Sequence, residues 1–551
     1  MVPRTRRALF SATLFLASCA LIGSFISNKV AAQSASDEST LRDSLHQFTD
    51  VYNLVEQNYA EPLDQDKIDK AIYDGAIPGM LHTLDPHSNF YDPKAYAQMR
   101  EDQHGKYYGV GMSIQPQPDK NGVIHVVVLA PFEGTPAFKA GIRPGDAILS
   151  VDGKSAVGLD SAAVAAMLKG PRGTHVSVAM QREGHDGPLT FDLVRDEIPR
   201  YSVDLAFLLK PGVGYIHITN FMETTSRELG DALDNFQAAG PLHGIVLDLR
   251  NNPGGLLNEA VNVSDKFLKE GQVVVSQRGR AFPEQVYHAE HGEQGTDRYP
   301  IVILVNRNTA SAAEIVSGAL QDHDRALIAG ETTFGKGLVQ TVFNVSENTG
   351  LALTTYHYYT PSGRLIQRDY DGISAYDYFF VRDDAKKADK SNLEVKLTDS
   401  GRTVYGGGGI TPDEKVNGGL FDSENFNRFQ ISLLQHYVFV ISGAGTFTRH
   451  YLATHTITRD FVVDDAILQQ FKDFLKTNQV DYNDAEFAAS VDWIKASIKA
   501  ELFTSQFGEL EGLKVRAQAD PEILKATTFL PEAMALEDRD KSPQKTASLV
   551  P

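Results

Sequence analysis

Ile301-Val-Ile-Leu-Val-Asn306 runs almost directly into Asn308-Thr-Ala-Ser-Ala-Ala-Glu-Ile-Val-Ser-Gly-Ala-Leu-Gln-Asp322. The first part is an unbroken apolar run of strand length, as expected for a strand covered on both faces. The second part has helical apolar spacing. A buried strand turning at once into a helix is the unit of an α/β fold. The same alternation extends outward over residues 213–345. Gly214-Tyr-Ile-His-Ile218 reads as a strand, 226–237 as a helix and Gly244-Ile-Val-Leu-Asp-Leu249 as a strand. Asn251-Asn-Pro-Gly-Gly255 is a sharp turn, 257–267 a helix and Val273-Val-Val-Ser276 a strand.

Ser311 sits at the turn between strand and helix, with no histidine beside it. A serine hydroxyl is a weak nucleophile until a base removes its proton. Lysine serves as that base where burial keeps it neutral near pH 7. Phe334-Gly-Lys-Gly-Leu338 supplies a lysine, Lys336, one helix and one strand later. Its flanking glycines leave room for a substrate backbone. Gln340 follows at a spacing suited to holding the amine. The amide of Ala312, at the helix N-terminus, is free to hold an oxyanion, and the turn at Gly254 and Gly255 would supply a second amide. Taken singly, each feature has a plainer reading. A serine opening a helix is usually a cap, and a lysine between glycines is usually a surface loop. The combination carries the catalytic reading.

Composition narrows the classes. The chain has 551 residues, suggesting several domains, and 42% of them are hydrophobic. A formal charge of −19 disfavours nucleic acid or an anionic membrane as the main partner. The single cysteine, Cys19, excludes an intrachain disulfide and a cysteine-based zinc site. No metal site is expected. His288 and His291 form an H-x-x-H pair that reads as a solvated loop. Arg4, Arg6 and Arg7, the apolar run 8–26 and Val30-Ala-Ala32 read as an export signal. Leu16-Ala-Ser-Cys19 offers a lipoprotein alternative, and the apolar run is nearly long enough to be an uncleaved anchor. All three place the bulk outside the cytoplasm, in the periplasm or on the outer face of the inner membrane. Membrane contact is expected only through this segment.

The expected organisation is a signal or anchor over 1–32, a helical region over 33–104 and a small β unit with two short helices over 105–196. The α/β core spans 197–420. A helical domain over 421–520 and a loose, charged tail over 521–551 follow.

Five stretches, taken in order, resemble the carboxy-terminal processing proteases, the tail-specific serine peptidases. They are Leu84-Asp-Pro-His-Ser88, Tyr108-Gly-Val-Gly-Met112, Asp248-Leu-Arg-Asn-Asn-Pro-Gly-Gly255, the stretch from Thr309 to Asp322, and Gly330-Glu-Thr-Thr-Phe-Gly-Lys-Gly-Leu-Val-Gln340. The resemblance implies a crotonase/Clp-like α/β core with an inserted PDZ-like domain. It maps the nucleophile to Ser311, the general base to Lys336 and the lysine-orienting residue to Gln340. It implies no cofactor. It implies protein substrates with accessible C-terminal tails, held by the PDZ loop Gly109, Val110, Gly111 and Met112. An adaptor and a second copy of the chain are further expected partners. Asp322 also matches a family acid and is expected to be structural, because a nearby carboxylate would keep the lysine charged. His87 is expected to fix its turn. A non-catalytic tail-binding scaffold, a ligand-binding relative and a crotonase-type acyl transferase are the rival classes.

Overall fold

The computed structural model describes residues 40–118, 122–182, 184–292, 299–345, 348–381, 394–416, 447–478 and 484–540. The segment expected as signal or anchor lies outside these residues. The chain divides into two units, 1–80 and 81–551. The described part of the first unit is largely helical, over 40–58 and then Gln65–Lys70. Asp64 caps the second helix, its carboxylate accepting from the amide of Lys67 at 2.9 Å.

The second unit is built on a sheet with the strand order Val203–Lys210, Val213–Ile218, Gly244–Asp248, Ile301–Val305, Leu327–Gly330, Glu414–Lys415. The first pair is antiparallel and the rest are parallel. Gly244–Asp248 and Ile301–Val305 are buried at every residue. Their unbroken apolar sequences follow from cover on both faces. Helices Thr225–Ala239, Leu257–Asp265 and Ala312–Asp322 cover one face through Leu229, Phe236, Val263, Ile315 and Leu320.

The other face is covered by residues 521–540, which corrects the expectation of a loose tail over that stretch; residues 541–551 lie outside the described residues. Residues 521–540 form the helices Pro521–Thr528 and Leu530–Asp540. Their charges conceal an apolar stripe of Ile523, Ala526, Phe529, Leu530, Ala533 and Leu536. It packs on Val213, Val246, Val302 and Leu304. Burial of each large side chain contributes about 1.5–3 kcal/mol. The Arg250 guanidinium locks the contact, binding Asp248, Asp520 and Glu522. Residues 417–446 lie outside the described residues. From Phe447 a separate helical cluster forms around Phe471, Phe487 and Ile498. Helix Glu509–Ala519 joins the two cores, with Val515 in one and Ala517 in the other.

A second sheet carries the segment after Lys336. In it Gly350–Tyr359 pairs antiparallel with Asn89–Tyr91, Val273–Arg278 and Leu338–Asn344. This long strand therefore joins the region of the Leu84–Ser88 turn to that of Lys336 and Gln340.

The small β unit has its own core, including Val126, Ile148, Val164, Val178 and Met180. Its chain enters and leaves through one two-stranded ladder, Lys106–Gly109 against Asp196–Pro199. Strand Met112–Pro118 lies at the edge of its sheet, with helix Ser161–Leu168 packed beside it.

Candidate active site

Ser311 has φ 54° and ψ −116°, a region that non-glycine residues rarely occupy. Holding a residue there costs about 1–3 kcal/mol. The constraint comes from all sides. Its amide donates to Glu314 Oε2 at 2.8 Å. Its carbonyl accepts from the amides of Glu314 at 2.8 Å and Ile315 at 3.0 Å, and from the Tyr358 hydroxyl at 3.1 Å. The hydroxyl Oγ sits at the N-cap, in a capping box with Glu314, and no acceptor takes its proton among the described residues.

Glu314 is fully buried and joins the serine to the lysine. The oxygen that holds the Ser311 amide also accepts from the Lys336 amide at 2.9 Å. The other oxygen accepts from the Gly335 amide at 2.6 Å and the Thr333 hydroxyl at 2.5 Å. Burial raises the pKa of Glu314 above its usual value, against the four hydrogen bonds. All four partners donate, so the site is shaped for the carboxylate. Nearby, the Phe334 amide donates to the Thr309 carbonyl at 2.8 Å, laying the lysine loop along the serine turn.

The Lys336 amine has no ion-pair or hydrogen-bond partner among the described residues. Burial holds its pKa below the usual lysine value, and the charges of Glu314 and Asp85 oppose that shift. Gln340 Nε2 donates to Thr354 Oγ1 at 3.0 Å. His87 lies beside the lysine. Its ring nitrogen Nε2 meets the Tyr378 hydroxyl at 2.9 Å. Burial and the neighbouring Lys336 lower the His87 pKa to about 3, leaving the ring neutral.

The three expected oxyanion donors differ. The amides of Ala312 and Gly255 have no acceptor among the described residues. The Gly254 amide donates to Asn252 Oδ1 at 2.8 Å and is not free, so the expectation for Gly254 as a donor is corrected. Gly254 serves by close approach instead. It has φ +100°, and a Cβ on it would lie 2.8 Å from Ser311 Cβ and 2.9 Å from the Ala312 nitrogen. Asp322 is paired with the buried Arg364 at 2.6 Å, in keeping with a structural part. His291 bonds to Asp265 at 2.9 Å.

In the small β unit the amides of Val110 and Gly111 have no acceptor among the described residues. Gly109 is held in the entry ladder opposite Asp196, and Met112 opens the edge strand opposite Pro131. Gly111 requires glycine, because φ is +78° and a Cβ would lie 2.4 Å from Thr135 Cβ.

Comparison with known proteins agrees with this architecture. Residues 212–375 match the model of peptidase family S41, 127–182 that of the PDZ domain, and 12–95 that of the activating protease CtpB N-terminal domain. Residues 433–508 match a family of unknown function. The chain is 40% identical over 359 residues to a carboxy-terminal-processing protease of Bartonella bacilliformis, covering 64% of this chain and 79% of that one. The chain belongs to the carboxy-terminal processing proteases. It is 34% identical over 345 residues to the carboxy-terminal processing protease CtpA of Bacillus subtilis, covering 62% and 71% of the two chains. Among solved structures, the photosystem II D1 C-terminal processing protease is 34% identical, with a TM-score of 0.32, and covers 58% of this chain and 89% of that one. The chain is thus a serine-type processing peptidase with an α/β core and a PDZ domain.

Within this processing-protease site, Gly254→Ala is expected to lower kcat/KM by about 100-fold, as misplacing the nucleophile does. The added methyl group would push on Ser311 and Ala312 together. A wild-type kcat/KM would show that the close approach is unimportant.

Glu314, Asp85 and Asn252 all lie inside motifs legible in the sequence, but none has a role assigned there. The signal for Glu314 was present in Ser311-Ala-Ala-Glu314, the spacing of a capping box.

Proposed function

We propose that the chain is an exported serine endopeptidase that engages C-terminal tails of protein substrates through its PDZ domain and cleaves them with Ser311 and Lys336. The observation that carries this reading is the shared Glu314 carboxylate. It fixes a strained serine, whose hydroxyl proton has no acceptor among the described residues, beside a partly buried lysine whose amine has no partner there. Lys336 takes the Ser311 proton as the hydroxyl attacks the scissile carbonyl. The oxyanion is received by the amides of Ala312 and Gly255. Lys336 then gives its proton to the leaving amine. In the second half it activates the water that releases the acyl group. Gln340 orients the lysine.

Tail recognition is supported by the amides of Val110 and Gly111, which have no acceptor among the described residues, beside an edge strand. A tail adds to strand Met112–Pro118 and places its carboxylate on those amides. The basic N-terminus with its apolar run supports export. Among the described residues no helix is long and apolar enough to cross a membrane. The domain limits we propose are 105–196 for the PDZ domain and 197–416 together with 509–540 for the protease core.

The test is the cleavage rate of one unfolded substrate with a free or an amidated C-terminus. Amidation removes the charge that the amides hold and is expected to weaken binding by about 1–3 kcal/mol, roughly five- to a hundredfold. Equal rates for the two tails would exclude carboxylate recognition by the PDZ domain.

A further inference from the structure

The turn Leu84-Asp-Pro-His-Ser88 lies outside the peptidase match, yet its acid reaches Thr354, the hydrogen-bond partner of Gln340. Asp85 is only 6% exposed. Its Oδ1 accepts from the amides of His87 at 2.7 Å and Ser88 at 2.8 Å, and from Thr354 Oγ1 at 3.1 Å. Its Oδ2 accepts from Ser88 Oγ at 2.6 Å. Ser88 Oγ in turn accepts from the Thr354 amide at 3.0 Å. Burial pushes the Asp85 pKa up. The hydrogen bonds from Ser88, His87 and Thr354 outweigh burial and hold it below the usual carboxylate value.

A carboxylate only accepts. The single proton of the Thr354 hydroxyl is therefore directed at Asp85. The hydroxyl oxygen is left as an acceptor for Gln340. That fixes the amide of Gln340 with its nitrogen toward Thr354, as found at 3.0 Å. Oε1 of Gln340 then remains, with no donor among the described residues.

The direction matters for the chemistry. A neutral lysine amine has one lone pair, and that pair must face the serine hydroxyl. An amide oxygen holds the amine by accepting one of its N–H bonds. A reversed amide would donate into the lone pair and occupy the electrons that the base needs. We propose that Asp85 and Thr354 are positioning residues that set which end of the Gln340 amide faces Lys336. This rests on the reading of Ser311 and Lys336 as nucleophile and base.

Three variants test it on a tail-bearing substrate, with kcat and KM measured separately. Thr354→Val keeps the shape and removes the hydroxyl. It is expected to lower kcat on the order of ten- to a hundredfold, with KM within about twofold. Thr354→Ser keeps the hydroxyl and is expected to stay within about threefold of wild type. Asp85→Asn is the discriminating change. Two backbone amides point at Oδ1, so the asparagine oxygen stays there and still accepts from Thr354. Its kcat is therefore expected within about threefold of wild type. The rising limb of its pH profile should move to lower pH. Lys336 faces the charges of Glu314 and Asp85 and the neutral His87, which itself feels Arg368. Removing one negative charge favours the neutral amine.

Wild-type kcat in Thr354→Val overturns the proposal. So does an equal loss in the Val and Ser variants, which would make the contact one of shape. If Thr354→Val does not fold, as judged by its melting, the pair Asp85→Ala and Asp85→Asn decides: Asp85→Ala removes the acceptor and is expected to lower kcat about tenfold or more, and a wild-type kcat in Asp85→Ala overturns the proposal. A loss in Asp85→Asn as large as that of Asp85→Ala would mean that charge, and not orientation, is what matters. Lys336→Ala is measured alongside. An active Lys336→Ala removes the reading beneath the proposal, whereas an inactive one beside an unimpaired Thr354→Val removes the positioning role alone.

Discussion

Ser311→Ala and Lys336→Ala are each expected to abolish cleavage, by about 10⁴-fold or more, while leaving the melting temperature near wild type. The double variant should be no slower than either single one, because the two groups act as a unit. Lys336→Arg should be as inactive as Lys336→Ala, since a guanidinium stays protonated and cannot take the serine proton. The pH dependence follows from the same requirement. Desolvation of the partly buried Lys336 holds it below its usual pKa, with Glu314 and Asp85 pulling the other way. The base is neutral only above its pKa. The single-turnover rate should therefore rise with pH through that value and then level off. A profile flat from about pH 5 to 9, or a fully active Lys336→Ala, would remove lysine as the base. Reaction of Ser311 with a serine-directed acylating probe, lost in Ser311→Ala, separates a peptidase from a tail-binding scaffold.

The order of strands and helices was legible because burial on two faces leaves a direct mark. Ile301–Val305 reads as a strand from its apolar run, and it is buried throughout. The turn at Ser311 was legible because small residues cluster where a strand meets a helix. What sequence could not provide was direction. Gly254 and Gly255 read alike in the turn, yet the Gly254 amide points to Asn252 and the Gly255 amide does not. The C-terminal helices were missed for a different reason. Glu532, Asp538 and Arg539 give 521–551 the composition of a tail. Its apolar stripe is visible only once the uncovered face of the sheet, with Val246 and Val302, is known. The Asp85, Thr354 and Gln340 chain was invisible because its members lie 269 and 14 residues apart.

Glu314 is the residue whose loss should disturb the site most without touching substrate. One carboxylate oxygen holds the Ser311 and Lys336 amides, and the other holds the Gly335 amide and the Thr333 hydroxyl. Glu314→Ala strands these four donors in a buried space. Each unsatisfied group costs roughly 1–3 kcal/mol, so a clear drop in melting temperature is expected. The strained Ser311 backbone loses its clamp and relaxes toward ordinary φ values, and the loop carrying Lys336 loosens with it. Activity should fall by about 100- to 1000-fold, in line with losing preorganised geometry. Glu314→Gln separates charge and direction from size. Whichever way its amide turns, one pair of donors meets an NH2 group and not an oxygen. It should therefore fold more stably than Glu314→Ala and remain strongly impaired. The rate of Ser311 acylation by a small probe reads this without involving tail binding. A wild-type acylation rate in Glu314→Gln would show that the pair is held in place by the surrounding packing and not by the carboxylate.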